Sequence, residues 1–228
     1  MISHFHADHV SDLPAFLWGA FLSGRVNRNL TVVGPTGNTD YPDIHTFLRS
    51  LIAEDKGIFP QLSGFPMEIV GTDANGTEVS TVFQDRDLEI QALEVPHANL
   101  TTLAFKIILG ERSVVFGSDQ NGQHPVSRQF IRNVDLLIMH LSISETPGLA
   151  AGEAISLLDL HAPPSLIGQI AASGNANTLV LSHLMGLDKN NSRSRYFSLN
   201  DLQSNLEHVR REYNGTVIQA EDLLCIPI

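Results

Sequence analysis

The sequence predicts an α/β protein with two β-sheets packed face to face and helices outside both, an αββα four-layer sandwich. Three observations support that class: a run of short strands fills the middle of the chain, helices alternate with buried strands after it, and helical patterns punctuate the strands before it. With 228 residues and 43% hydrophobic content, the chain can bury a full core, and 1–228 reads as one domain. No internal repeat, low-complexity segment or linker interrupts it.

Val10 to Gly24 carries Leu13, Phe16, Leu17, Ala20 and Phe21 at i, i+3, i+4 spacing, which predicts a helix with one buried face. Asp8 and Asp12 near its start suit the helix dipole, and Gly24 ends it. Leu30-Thr31-Val32-Val33 is a short strand closed by Gly34-Pro35-Thr36-Gly37, a turn without the Lys-Ser/Thr ending of a phosphate loop. Ile44 to Ala53 reads as a helix and Phe59 to Pro66 as a loop.

From Met67 the pattern turns strand-rich: Met67–Val70, Val79–Phe83, Leu88–Val95, Leu103–Leu109 and Ser113–Phe116. Turn signals at Asp73-Ala74-Asn75-Gly76 and Gly110-Glu111 separate them, which predicts an antiparallel meander. A helix around Pro125–Arg132, a strand Leu136–Met139, a helix around Pro164–Ala172 and a strand Thr178–Leu181 follow. The last helix, Leu199–Tyr213, has Leu202, Leu206 and Val209 on one face, and Val217–Gln219 and Leu223–Ile226 close the chain.

The formal charge of −11 works against a long phosphate backbone as partner. It leaves room for a small anionic substrate, because bound metal ions bring their own positive charge. Cys225 is the only cysteine, so no internal disulfide forms and the redox compartment stays open. No apolar run approaches the roughly 20 residues that span a bilayer, and no signal-peptide pattern is present; membrane insertion is not expected.

The chemistry concentrates in Ser3-His4-Phe5-His6-Ala7-Asp8-His9-Val10, a pattern H-x-H-x-D-H. In an extended segment alternate side chains point the same way, so His4 and His6 can reach one point. Asp8 and His9 fall where the chain must turn into a helix, so this pair can serve a second, adjacent metal. Imidazole with carboxylate suits zinc, iron or manganese, and the lack of nearby cysteine argues against a structural zinc knuckle. The alternative is a His-rich surface turn or tag remnant, which rarely places Asp among spaced histidines and then runs into an amphipathic helix.

This octapeptide resembles the signature of the metallo-β-lactamase superfamily, and later positions extend the resemblance over nearly the whole chain. Val95-Pro96-His97, Gly117-Ser118-Asp119 and Ser182-His183 each stand at a predicted strand end. The resemblance implies the metallo-β-lactamase fold and two divalent cations, zinc first, with manganese or iron as alternatives. It places His4, His6 and His97 on the first metal, Asp8, His9 and His183 on the second, and Asp119 between them. A mononuclear or inactive site remains open.

Leu160-His161-Ala162-Pro163, followed by Leu179-Val180-Leu181-Ser182-His183, resembles the ribonuclease Z and arylsulfatase-like branch. That implies a His161 that protonates the leaving group; a helix-entry histidine satisfied by backbone is the alternative. In Asp135-Leu136-Leu137-Ile138-Met139-His140, His140 stands where ribonuclease Z has the glutamate that pairs with its catalytic histidine. No carboxylate then stabilises an imidazolium, so His140 either takes a different part in proton delivery or is structural. The respiratory-iron branch, with glutamate in place of the second histidine, is disfavoured by His6.

Two departures stand out. In that family several strands precede the motif, whereas here only Met1 and Ile2 precede Ser3. The chain is therefore expected to lack about fifty residues, to leave a sheet edge that a homodimer would cover, and to give no reading of localisation, cytoplasmic or periplasmic. Bacterial ribonuclease Z also inserts a tRNA-gripping arm between the positions of His97 and Asp119, where this chain has only strand, Gly110-Glu111 turn and strand. With the negative charge, tRNA becomes a disfavoured partner, and Arg112, Arg128 and Arg132 are too sparse to replace the arm. Arg193 and Arg195 either meet an anionic substrate at the rim or belong to a solvated loop. His45 and His208 read as helix-surface residues, and His124 has no matching role.

The expectation is a metal-dependent hydrolase that uses a hydroxide activated by a dinuclear site on a small phosphodiester or sulfate ester. Asp8 would orient the nucleophile as well as ligate, and His161 would donate a proton to the leaving oxygen. A carbonyl hydrolase of lactonase, thioesterase or β-lactamase type, and a truncated non-catalytic binding module, are the alternatives.

Overall fold

Alternating burial along the strands sorts the chain into layers. The computed structural model describes residues 1–24, 29–72, 78–125, 127–145 and 157–228. In it β1 (Leu30–Pro35) and β2 (Met67–Thr72) pair in parallel as a small sheet. The larger sheet holds seven strands in chain order: β3 (Ser80–Gln84), β4 (Leu88–His97), β5 (Leu100–Leu109), β6 (Arg112–Phe116), β7 (Leu136–His140), β8 (Thr178–Ser182) and β9 (Thr216–Gln219). β3 to β6 form an antiparallel meander, and β6 to β9 run parallel.

Period-two side-chain alternation assigns the faces. On β5, Leu103 and Phe105 meet Val33 and Ala92 between the sheets. Ala104, from the same strand, joins Leu93, Val115, Leu137 and Leu179 in the large core on the opposite face. Over that core lie α4 (Ser127–Phe130), α5 (Pro164–Ser173) and α6 (Leu202–Glu212), contributing Phe130, Ile167 and Leu206. At Gly168 an added Cβ would stand 2.6 Å from the Val209 carbonyl oxygen, so glycine sets how closely α5 approaches α6. Beyond the small sheet, α3 (Ile44–Ile52) packs Ile44 and Leu48 on Val32, and α1 (Ala7–Val10) and α2 (Leu13–Leu22) sit beside it. The four-layer order is the one expected.

The N-terminal segment joins the two sheets. Ile2 N–H donates to the Val33 carbonyl at 2.8 Å, and Leu103 N–H donates to the Ser3 carbonyl at 3.0 Å.

Several boundaries differ from expectation for identifiable reasons. The helix expected from Val10 to Gly24 is two helices, because Pro14 in its interior would clash with the Val10 carbonyl and donate no hydrogen bond. The chain breaks after Val10, and Pro14 takes a place in the first turn of α2. The apolar stripe of α2 is only partly covered: Leu17 is buried and Leu13 and Ala20 are half-buried, but Phe16 and Phe21 are exposed. The helix packs on a small cluster of Ile52, Leu62 and Phe65 at the end of the small sheet, beside Leu30 and Met67. β1 continues through Gly34-Pro35, and β2 pairs in parallel with it instead of joining the meander, with α3 in the connection that parallel pairing requires.

Pro60–Leu62 makes a 3₁₀ turn within the expected loop, and Ser198–Asp201 is 3₁₀ before α6 begins at Leu202. Residues 223–226 form no strand; Leu223 is exposed with φ 65°. The turn expected at Asp73-Ala74-Asn75-Gly76 lies outside the described residues.

Asp43 caps α3: its carboxylate accepts from Thr46 N–H at 2.7 Å and from the Thr46 hydroxyl at 3.2 Å. The bond from the Thr46 backbone is the first cause that holds its pKa below the usual value. A depressed folded-state pKa stabilises above the unfolded value and loses that contribution as pH falls through the folded one. Asp43→Ala should therefore destabilise by about 1 kcal/mol at neutral pH, with the difference shrinking below about pH 4, as read from urea unfolding at both pH values.

Candidate metal centre

Three strand ends and the N-terminal segment deliver the site. β4 ends on His97, β6 leads through Gly117 and Ser118 to Asp119, and β8 leads through Ser182 to His183. Each turn uses a non-glycine residue in the left-handed region: Ala98 at φ 49°, Ser118 at 58° and His183 itself at 51°. Such a backbone costs on the order of 1–3 kcal/mol per residue and persists where the surroundings over-determine it. A Cβ at Gly117 would lie 2.3 Å from the Met139 sulfur and 3.1 Å from the Ile138 carbonyl oxygen, so a larger residue there would displace the buried Met139 side chain.

The side chains form two adjoining groups, His4, His6, His97 and Asp119 in one and Asp8, His9 and His183 in the other, the ligand atoms of each lying within 4.8 Å of one another. In the first, His6 Nδ1 stands 3.1 Å from His4 Nε2 and 3.3 Å from His97 Nε2. In the second, Asp8 Oδ2 is 3.0 Å from His183 Nε2 and 3.5 Å from His9 Nε2. Asp119 Oδ2 reaches both groups, at 3.3 Å from His9, 3.5 Å from His183, 3.9 Å from His97 and 4.0 Å from His4. All seven predicted positions converge.

The donor set fits a pair of divalent cations. Nitrogens bound at about 2.0–2.1 Å to one tetrahedral cation stand about 3.3 Å apart, close to the 3.1 and 3.3 Å that separate His6 from His4 and His97. His9 Nε2 is buried and faces the Asp119 carboxylate at 3.3 Å, on the side where a cation would sit.

Outer contacts aim the rings. His97 Nδ1–H donates to the Leu160 carbonyl at 2.7 Å. His183 Nδ1–H donates to the Ser142 hydroxyl at 2.8 Å, and that hydroxyl donates onward to the His183 carbonyl at 3.2 Å. Ser3 Oγ meets His4 Nδ1 at 3.1 Å. Each bond engages Nδ1 and leaves Nε2 facing the centre, which fixes the tautomer. Burial pushes His4 down to about 3 and lowers His97. Burial alone would raise Asp119, but the hydrogen bond from His9 and the imidazoles around it hold the carboxyl well below the usual range. Burial would lower His9 too, but its hydrogen bond to Asp119 and the two carboxylates beside it raise it. Neutral His4 and His97 beside an ionised carboxylate are already in the states that metal ligation requires.

His140 and His161 lie beside this centre. His140 Nε2–H donates to the Gln120 carbonyl at 2.8 Å, and its Nδ1 is buried without a partner. The His161 ring is 5.1 Å from that of His140 and 5.3 Å from that of His97, and its Nδ1 is likewise buried without a partner. The two rings meet at 62°, edge toward face, rather than through a hydrogen bond. Burial pushes His140 down to about 4 and His161 to about 3.

A cavity of about 440 Å³ opens next to His9, Asp119 and His183, walled by Leu103, Phe105, Phe116, Ile138 and Met139. Among the described residues no lysine or arginine lines it. Arg195 instead lies over the Tyr196 ring, 4.9 Å from its centroid. His124 lines a separate groove with Glu94, Pro96 and Asn99, and His45 and His208 stand on α3 and α6.

Sequence reasoning missed three supports. Ser142 was detectable as a polar residue in the apolar run Leu136–Ile143. The carbonyls of Leu160 and Gln120 carry no residue-type signal; the latter accepts from both His140 and Ala162 N–H.

No protein-family model matches the chain. A ribonuclease Z of Clostridium acetobutylicum is 33% identical over 100 residues, which is 42% of this chain and only 28% of that relative. Among solved structures, the metallo-β-lactamase fold protein YhfI from Bacillus subtilis superposes with TM-score 0.65 at 19% identity, over 96% of this chain and 73% of that one. The short form of human tRNase Z gives TM-score 0.65 at 19% identity, over 100% of this chain and 78% of that one. The chain has the metallo-β-lactamase fold.

Buried neutral histidines set an acid limit on stability. With folded-state values below the ordinary 6.5, His140 and His161 bind fewer protons folded than unfolded, so stability is full above about pH 6.5 and falls below it. Chelator-treated protein should lose up to about 1.4 kcal/mol per pH unit per group between pH 6.5 and 4. His140→Gln should remove about one proton's worth of that slope in urea unfolding.

Proposed function

We propose that the chain is a metal-dependent hydrolase with a dinuclear centre, acting on a small phosphodiester or sulfate ester. The observation that carries the reading is the meeting of six donors around Asp119, with spacings that suit cation ligation. His4, His6 and His97 would hold one cation, Asp8, His9 and His183 the other, and Asp119 both. The donor chemistry favours zinc, with manganese or iron as alternatives. When bound, the pair supplies a water with a pKa lowered toward neutrality and positive charge for the developing anion.

The residues of this chain do the rest. The Asp8 carboxylate is 62% exposed, open to accept a hydrogen bond from the attacking water while its other contacts hold it in place. The apolar walls take the ester substituent and exclude bulk water from the reacting bond. His161 offers a proton to the leaving oxygen. Burial favours its neutral form, so the ring takes up a proton from solvent before it gives one to the leaving oxygen, and once charged it is a strong acid. His140, bonded to Gln120, braces that ring edge-on and carries no charge to it.

A long RNA fits poorly. The chain carries −11, and β5 joins β6 through a tight turn at Gly110 where an arm would be needed. The carbonyl-hydrolase reading gains from the same largely apolar walls, which among the described residues include no lysine or arginine and accept an acyl chain as readily as an aryl group.

Zinc reconstitution should give two equivalents per chain; fewer than one would favour a non-catalytic module. Ser142→Ala should weaken the second equivalent by about 10–100-fold and leave the first unchanged, as measured by chelator competition. The loaded protein should hydrolyse bis-nitrophenyl phosphate or nitrophenyl sulfate. Inactivity on both, with turnover of nitrophenyl acetate or a lactone, would transfer the assignment to carbonyl chemistry.

A further inference from the structure

We propose that residues 221–228 form a strap that folds across the open side of the cavity and closes on the apolar substituent of a bound ester, with Leu223 and Leu224 as specificity-determining side chains. This deepens the hydrolase reading and rests on its assignment of the apolar walls to the substituent. β9 runs parallel to β8, so both strands end at the edge where His183 stands. Ala220 N–H donates to the Leu181 carbonyl at 2.8 Å, and the segment therefore leaves the sheet beside Ser182, which lines the cavity. From there a row of apolar side chains crosses the sheet: the register pairs Ile218 with Val180, Val180 with Ile138 and Ile138 with Phe116. Val217 packs into the helical core, so by alternation Ile218 shares the cavity face. Ile138 and Phe116 are cavity wall, and Phe116 is 41% exposed. The row leads from the root of the segment to an uncovered rim.

The segment matches that surface in chemistry and in length. Every side chain from Leu223 to Ile228 is apolar, yet Leu223, Leu224 and Ile228 are exposed and Ile226 alone is half-buried. Leu223 is fully exposed at φ 65°, in a turn closed by Leu224 N–H on the Glu221 carbonyl at 3.2 Å. An apolar side chain held in the left-handed region and turned into water has nothing in this arrangement to support it. Phe116 lies three strands from β9, about 14 Å at ordinary strand spacing, and six extended residues span up to about 20 Å. None of residues 220–228 lines the cavity, so the structure holds the open form. Ordering the segment costs chain entropy, and a bound apolar group adds to the area that closure removes from water. Closure therefore follows binding, and does so more strongly for a larger substituent. Glu221 and Asp222 at the bend are exposed and stay in water.

Cys225 is the only cysteine and is exposed, so one environment-sensitive fluorophore attached there reports on the segment. On the metal-loaded protein, saturating naphthalenesulfonate, an anion with no ester bond, should shift its emission to shorter wavelength; methanesulfonate should not. Leu223→Asp combined with Leu224→Asp should abolish the shift and leave zinc content unchanged, both positions being exposed. The same double variant, unlabelled, should lose about tenfold in kcat/KM, through KM, on naphthyl nitrophenyl phosphate and nothing on methyl nitrophenyl phosphate. No binding of naphthalenesulfonate, binding without a shift, or equal losses on both esters would overturn the proposal. So would a benzophenone on Cys225 that crosslinks to a second copy rather than to the peptides carrying Phe116 and Ile138. A shift in protein that hydrolyses neither ester would support the strap while removing the hydrolase reading, so the two fail separately.

Discussion

A carboxylate buried among imidazoles governs this structure. Asp119 is 2% exposed, and four histidine nitrogens lie within 4.0 Å of one of its oxygens. Taking one carboxylate out of water costs several kcal/mol unless positive charge or hydrogen-bond donors replace the solvent. Histidines arriving from β4, β8 and the N-terminal segment provide that replacement, and each needs its own scaffold to arrive. The parallel half of the large sheet brings β6 and β8 to the same edge, and the β4–β5 hairpin brings His97 across from the antiparallel half. The N-terminal segment, held to β1 and β5 by backbone bonds, lays His4 and His6 over the same point.

The polar centre and the apolar cavity are two sides of one arrangement. Alternation on β5 to β7 that sends Ala104, Val115 and Met139 into the helical core leaves Leu103, Phe105, Phe116 and Ile138 on the other face, next to the ligands. The two strands of the small sheet cover only part of that face, and Phe116 stays exposed. Loss of water from around the rings, against the pull of the Asp119 charge, is what holds His140 and His161 neutral beside it.

Much of this was legible in the sequence because the donors carry residue-type signals. H-x-H-x-D-H is local and needs no tertiary knowledge, and His97, Asp119 and His183 could be found because each follows a run of strand-forming residues. Element order likewise gave the four layers. What could not be read was pairing and environment. Met67–Thr72 looks like any other strand, and only its partner decides that it runs parallel to β1. The stripe on α2 follows the periodicity of a buried face, yet what it packs against is a cluster too small to cover it. The rings of His97 and His140 are steered by carbonyls of Leu160 and Gln120, and a carbonyl looks the same under every side chain.

That last point bears on how such a protein can change. Because a main-chain oxygen orients the His97 ring, replacing the side chain at 160 leaves that contact in place. The buried Gln120 amide, by contrast, also ties its own turn by donating to the Gly117 carbonyl. The loop bearing His161 is tied to the Asp119 turn by the Gln120 carbonyl oxygen, through Ala162 N–H. Selection can therefore rework the walls that choose a substrate while the alignment of the donors is inherited unchanged, so chemistry and specificity can drift apart along a lineage.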